Sequence, residues 1–311
     1  MTKSNEIQLS IIIVSYNTAD LTGQTLSSIK NSLEKSDFLK NSNEIFVVDN
    51  NSTDNSLNVI KSFQKYFQHF KLIENKDNRG FASANNQAAQ LATGEYLLLL
   101  NSDTIVQDNA LDLLIKGAIA NNFQIAAAKL LNKDKTIQPQ GGNLPNLMTL
   151  FNQMFFLDDL PMVGKFFSST QNTGLNFNND QSDAKEVGWV GGTAMLIKQS
   201  LWNEIGPLDE NIFMYGEDIE LCIRAKQNGA KIGIIHSASI IHLGSASSSS
   251  KNALIGELKG YKYIWKKHKP SWQQPLLKMI LTTGVILIII IFGMILRQAK
   301  GKIYIDALKV I

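Results

Sequence analysis

The sequence predicts an α/β protein: a mostly parallel, Rossmann-like sheet with helices on both faces. Three observations predict it. Short apolar runs recur through the first hundred residues without polar alternation, as in strands buried on both faces. Segments of helical spacing separate these runs, and alternating strand and helix select a parallel sheet. Polar or acidic residues follow the runs directly, where open α/β sheets bind ligands. LLLLNSD, 97–103, is the clearest instance.

The elements follow in order. Leu9–Val14 predicts the first strand, and Ala19–Leu33 a helix through Leu21, Thr25, Leu26, Ile29 and Leu33. Ile45–Val48 predicts a second buried strand, ending at Asp49. In the turn DNNSTDNS, Ser52 or Thr53 is the expected cap of a helix running to about Gln68. Phe70–Glu74 is a third strand, Arg79–Thr93 a helix of small residues stopped by Gly94, and Tyr96–Leu100 a fourth strand. Asp108–Ala120 predicts a helix and Ile125–Leu131 a strand. From about Gln138 to Glu186 no period is sustained, and 171–183 reads as a polar, mobile piece. Order returns at Val187–Lys198. Gly216–Asn228 predicts a helix in which Glu220 and Arg224 are spaced to pair, with Gly229 as its stop. Strands at Ile232–Ile235 and Ile240–His242 and a serine-rich loop follow.

The chain has 311 residues, is 44% hydrophobic and 18% charged, and carries a net charge of +3. That is enough for a sizeable core and too weakly basic to argue for a nucleic-acid partner; none is expected. A single cysteine, Cys222, allows no internal disulfide and lies on the apolar face of its predicted helix, which points to core packing. The N-terminal apolar run is too short for a signal peptide. Residues 279–296, by contrast, are 18 positions without a charge. As a helix they would span roughly 27 Å, near the thickness of a bilayer core. A buried core helix is the other reading. Lysines crowd both flanks, and YKYIWKKHKPSW (261–272) interleaves aromatics with lysines, as a segment at the headgroup level would. The flanks favour a cytoplasmic N-terminal part, and also suit a re-entrant helix.

Each candidate residue has a functional and a structural reading. Asp49 can take hydrogen bonds from a base or ribose, or simply start a turn. In NRGFASANNQA, 78–88, small residues can admit a phosphate to a helix start beside Arg79, or pack the helix on the sheet. Asp103, behind Asn101 and Ser102, can hold a divalent cation or cap a strand end. Glu217 and Asp218 at a helix start complement its dipole, or in a crevice one of them can deprotonate a hydroxyl. His242 is a structural histidine or a metal ligand beside Asp103.

Taken in order, SIIIVSYN, IFVVDNNSTDNS, NRGFASANN, LLLLNSD, WVGGTAMLI and FMYGEDIELCIR resemble the family-2 glycosyltransferases of GT-A fold, nearest the bacterial rhamnosyltransferase-like group. The resemblance covers about residues 8 to 245. It implies an inverting, metal-dependent transfer from a nucleotide-diphosphate donor, dTDP-rhamnose first or a UDP-sugar. Ser15, Tyr16, Asn17 and Asp49 match positions lining the nucleoside. Asn78, Arg79, Gly80 and Asn85 match the segment beside the nucleotide, which Asn101 and Ser102 adjoin. Asp103 matches the last acid of the metal-binding DxD, with Asn101 in place of the first. Trp189, Gly191, Gly192 and Thr193 match the region where donor sugar and acceptor meet. Asp218 matches the general base, with Glu217 beside it, and His242 a late metal-site histidine. Mg²⁺ or Mn²⁺ is the implied cofactor.

The expected organisation is a catalytic domain over 1–255, a basic and aromatic juxtamembrane segment over 256–278, a transmembrane or re-entrant helix over 279–296 and a short basic tail over 297–311. The expected acceptor is a polyprenyl-diphosphate-linked saccharide or a polysaccharide, and the expected location the cell membrane with the catalytic domain facing the cytoplasm. An alternative on the same residues is a non-catalytic sugar-nucleotide-binding membrane scaffold of a polysaccharide assembly complex. A sugar nucleotidyltransferase would need a glycine-rich basic loop after the first strand, where SYNTADLTG stands.

Overall fold

The computed structural model describes residues 6–171, 182–244, 250–291 and 300–311. Strands β1 (Leu9–Ser15), β2 (Asn43–Asp49), β3 (Phe70–Glu74) and β4 (Tyr96–Asn101) lie parallel in the order β3-β2-β1-β4. Their apolar runs are buried on both faces, as their composition requires. On one face, α1 (Ala19–Glu34), α2 (Ser56–Phe63) and α4 (Ala110–Ala120) pack Leu26, Ile29, Ile60, Leu114 and Ile115 over Ile11, Ile13, Val47 and Leu98. On the other, α3 (Gly80–Ala89) lays Ala82, Ala84 and Ala88 over Ile12, Val48 and Leu99.

The far half of the sheet is mixed. β11 (Ala194–Lys198) runs antiparallel between β4 and β6 (Ile125–Leu131), and β6 pairs parallel with β12 (Ile232–His242). The short β5 (Thr104–Val106) closes the order by pairing antiparallel with the end of β12. The two strands expected at 232–235 and 240–242 are this one strand, with a register shift between Ile235 and Ser239. Inside the stretch without a period lie β7 (Ile137–Gln138), β8 (Gly141–Gly142), α5 (Leu147–Met154) and β9 (Ala184–Glu186). β10 (Trp189–Val190) pairs with β8, and α6 (Gln199–Ile205) and α7 (Glu217–Gln227) complete the region. The expected mobile piece at 171–183 falls mostly outside the described residues.

Two helix boundaries move for local reasons. Ser52 and Thr53 do not cap α2. The Ser52 N–H donates to Asp49 Oδ2 and its Oγ accepts from Asn17, so the helix begins three residues later. The small-residue helix stops at Ala89, because Glu44 takes the Thr93 N–H and Ser10 Oγ the Gly94 N–H.

The C-terminal helices are α8 (Ser250–His268), α9 (Gln273–Ile288) and α10 (Lys300–Ala307). Tyr261 and Trp265 of α8 are buried in the core, while Trp272 of the same aromatic segment is exposed. Burying an aromatic body against protein removes the same apolar area from water that an interface would. The expected boundary at 255/256 falls inside α8. α9 buries Leu277, Ile280, Leu281, Val285 and Ile288, a stripe at helical spacing, and passes so close to α5 that a Cβ on Gly284 would strike Met154. Its other face leaves Met279, Ile286 and Ile290 exposed. Among the described residues, Gln273–Ile291 is the one helix long and apolar enough to cross a membrane. Residues 292–296 of the expected span lie outside the described residues.

Candidate active site

The chain leaves β1 toward β2 and β3 on one side, and β4 lies on the other. This reversal opens a crevice beyond the carboxyl ends of β1 and β4, the place where such sheets take ligands. A cavity of about 1020 Å³ fills it, and both Asp103 and Asp218 line it.

On the sheet side, Tyr16, Asn78, Gly80, Asn101 and Ser102 line the cavity. Asn50, which the sequence reading passed over, lines it too and organises this wall. Its Nδ2 donates to Asn78 Oδ1 at 2.9 Å, and its Oδ1 accepts from Asn75 and from the Arg79 N–H. Gly80 is forced by geometry: its φ is +79°, and a Cβ there would lie 2.5 Å from the Phe213 carbonyl oxygen. The Phe81 N–H donates to that same oxygen at 2.9 Å, tying α3 to the loop before α7.

Other expected nucleotide residues stand behind this wall. Ser15 Oγ joins a buried hydroxyl cluster with Thr18 and Thr22. Asn17 accepts from the Thr53 N–H and bridges two loops. Asn85 turns back to the Phe81 carbonyl, and the Arg79 guanidinium pairs with Asp77. None of these four side chains lines the cavity. Asp49 accepts from Ser52 with one oxygen, while its buried Oδ1 has no hydrogen-bond partner among the described residues. A buried acceptor left in that state is costly, and Asp49, expected to face the crevice, does not line the cavity.

Asp103 is buried, and His242 Nε2 lies 3.3 Å from its Oδ1. The contact is made by strand pairing: β5 follows Asp103, and His242 stands opposite Thr104. His242 Nδ1 is 2.8 Å from Gln138 Oε1, which accepts in the tautomer that has its proton on Nδ1. In the neutral ring the Nε2 lone pair then faces a carboxylate, and a cation between them removes that repulsion. One carboxylate and one imidazole fit a divalent ion whose remaining ligands are diphosphate oxygens. Among the described residues, no group of three or more His, Cys, Asp or Glu converges as a self-sufficient metal cage.

Asp218 opens α7, and its Oδ2 accepts the Gly192 N–H at 3.1 Å. The next residue, Thr193, accepts the Asn101 N–H at 2.9 Å. Two adjacent residues before β11 therefore bridge the acidic corners, with Trp189, Gly191, Gly192 and Thr193 all on the cavity wall. The Trp189 indole is fixed by donating to the Thr170 carbonyl. Glu217 is buried, and its Oε2 has no hydrogen-bond partner among the described residues. Burial, and then the neighbouring Asp218 charge, push Glu217 up to about 8. Burial also raises Asp218, against the backbone N–H groups of Ile219 and Gly192 that favour its charged form. The expected Glu220–Arg224 pair forms at 2.8 Å, and Lys267 and His268 of α8 join Glu220. Cys222 is buried, as expected, and burial pushes its thiol up to about 12.

α8 supplies cavity residues that the sequence reading had assigned to a juxtamembrane segment. Glu257 and Tyr263 line the cavity. Glu257 accepts from the Tyr261 hydroxyl at 3.2 Å, and its carboxyl is raised by burial and by Asp218. The signal was GELKG, 256–260. Gly260 lets α8 pass so close to the start of α7 that a Cβ there would lie 2.5 Å from the Tyr215 carbonyl oxygen.

Comparison with known proteins agrees with this geometry. The family described as glycosyl transferase family 2 matches residues 10–206. The chain is 26% identical over 245 residues to the low-salt glycan biosynthesis hexosyltransferase Agl10 of Haloferax volcanii, covering 75% of this chain. That match spans 66% of the relative, just under two thirds of its length. It is 23% identical over 248 residues to the N-acetylglucosaminyl-diphospho-decaprenol L-rhamnosyltransferase of Mycobacterium tuberculosis, covering 75% of this chain and 78% of that protein. In fold it is similar to the mannosyltransferase PcManGT from Pyrobaculum calidifontis in complex with GDP-Man and Mn²⁺. That likeness has a TM-score of 0.57 and 15% identity, and covers 98% of this chain and 84% of that one.

Proposed function

This chain belongs to glycosyl transferase family 2, and from that premise we propose an inverting glycosyltransferase. It moves a sugar from a nucleotide-diphosphate donor, dTDP-rhamnose or a UDP-sugar, to a polyprenyl-diphosphate-linked saccharide or a polysaccharide. The observation that carries this reading is the cavity shared by Asp103 and Asp218, at the two ends of the Gly192–Thr193 bridge. The decaprenol-linked acceptor in the name of the mycobacterial relative supports the acceptor class.

A single displacement inverts the anomeric carbon, so it needs a base on the face opposite the leaving diphosphate. Asp218 takes the proton of the acceptor hydroxyl as its oxygen bonds to that carbon. The bond from the carbon to the diphosphate oxygen breaks, and its electron pair leaves with the nucleotide. The upward shift of Asp218 suits this role, because a stronger base accepts the proton more readily. Glu217 beside it is raised by burial and by the Asp218 charge, so the two carboxyls resist ionising together. Asp103 and His242 would hold a divalent metal, which when bound neutralises charge on the diphosphate. Asn50 and Asn78 on the cavity wall offer donors and acceptors to the nucleoside. The exposed apolar stripe of α9 supports attachment to a membrane, and the catalytic unit extends through α8 because Glu257 and Tyr263 line the cavity.

The test is a panel of dTDP-rhamnose, UDP-glucose and UDP-GlcNAc with Mn²⁺ or Mg²⁺, following nucleotide release and melting temperature. One donor is expected to raise the melting temperature and to release its nucleotide. Binding without release, with any acceptor offered, returns the scaffold reading; neither binding nor release overturns both.

A further inference from the structure

A second cavity, of about 680 Å³, lies between α8 and α9. Lys262, Lys266 and Lys278 line it together with Tyr263, Pro275 and Leu277. Three lysines thus line one apolar-floored groove. Lys262 donates to the Val310 carbonyl, and Lys266 and Lys278 make no ion pair among the described residues. The nearby acids are already matched: Asp209 by Lys267, and Glu220 by Lys267, His268 and Arg224. Ile311 lines the groove too, and among the described residues no acidic side chain matches these three lysines; their surplus positive charge can take an anion from outside the chain.

Two further observations bear on that anion. Tyr263 lines both this groove and the cavity that holds Asp218, so the two adjoin along α8. Beyond Lys278, α9 presents exposed Met279, Ile286 and Ile290. The order is sugar-sized cavity, basic groove, apolar stripe. We propose that the α8–α9 groove binds the diphosphate of a prenyl-diphosphate-linked acceptor, with Lys262, Lys266 and Lys278 on the phosphates and the prenyl chain leaving along α9. This rests on the glycosyltransferase reading above and adds to it a site for the acceptor's lipid head.

The experiment is a calorimetric titration of the full chain in neutral detergent, with farnesyl diphosphate as probe and EDTA present to keep diphosphate from a metal at Asp103. Farnesyl diphosphate is expected to bind more tightly than farnesol or inorganic pyrophosphate. K266A/K278A is expected to weaken it by about tenfold or more, and K266R/K278R to restore it. Unchanged affinity in K266A/K278A overturns the proposal, as does equal binding of farnesol or of pyrophosphate. A loss confined to D103N moves the diphosphate to the nucleotide site and overturns it too. If K266A/K278A loses binding to phosphatidylglycerol vesicles but keeps farnesyl diphosphate, the lysines meet a bilayer surface and the acceptor assignment falls. No turnover enters these measurements, so failure of the glycosyltransferase reading is seen separately, in the donor panel.

Discussion

Asp103 and Asp218 line one cavity, yet their surroundings are opposed. Asp103 has an imidazole at 3.3 Å, itself held by an amide, and stands at the end of a strand in the parallel half. Asp218 stands at a helix start, with Glu217 beside it and Glu257 electrostatically coupled to it, in the half built from α7, α8 and the mixed strands. The first corner pairs a carboxylate with a ligand that can share a cation. The second raises carboxyls by crowding and burying them. In the proposed reaction a leaving group needs neutralised charge and an attacking hydroxyl needs a base, and the contrast fits that division.

The sharpest way to break this comparison is Asp218→Asn. It is expected to lower the transfer rate by about 10²- to 10⁴-fold with the nucleotide affinity retained, read by steady-state kinetics and a separate UDP titration. Near wild-type turnover would remove the base. Asp103→Asn is expected to act on the other corner. Nucleotide affinity in Mn²⁺ should fall about 10- to 100-fold, with little change when EDTA is present. If the loss is the same with and without metal, the corner binds no cation.

Gly80→Ala tests the loop that joins the two halves. Its positive φ and the 2.5 Å approach to Phe213 should cost about 1–3 kcal/mol, measured by denaturant unfolding. The smallest expected effect concerns Glu217. Its ordinary value is 4.5 and its folded value about 8, so the folded state holds more protons between them. Stability is therefore expected to fall as pH rises from about 4.5 to about 8. Glu217→Gln should flatten that slope, read in urea midpoints taken at pH 5 and pH 8. An unchanged slope would place the buried charge elsewhere.

The parallel half was legible because each strand's burial on both faces is written in its own composition. β3, β6 and the helix at 217–227 fall within a residue of their expected ends. The acid after β4 lines the cavity as its place at a strand end suggested, whereas Asp49 at the end of β2 does not. Legibility failed where partners are distant. Asn50 looks like one more turn residue until Asn75, Asn78 and Arg79 arrive around it. Tyr261 and Trp265 look like headgroup aromatics until α8 packs on the core.

The amino-acid order alone determined the strands, the helices between them and the acids at their ends, because burial on two faces and helical spacing are local properties of the chain. The tertiary structure decided that β5 would bring His242 to Asp103, that Gly192 and Thr193 would bridge the acidic corners, and that α8 would wall the cavity. Those contacts join residues tens to more than a hundred positions apart. Only packing and strand register, which no local pattern encodes, could choose among them.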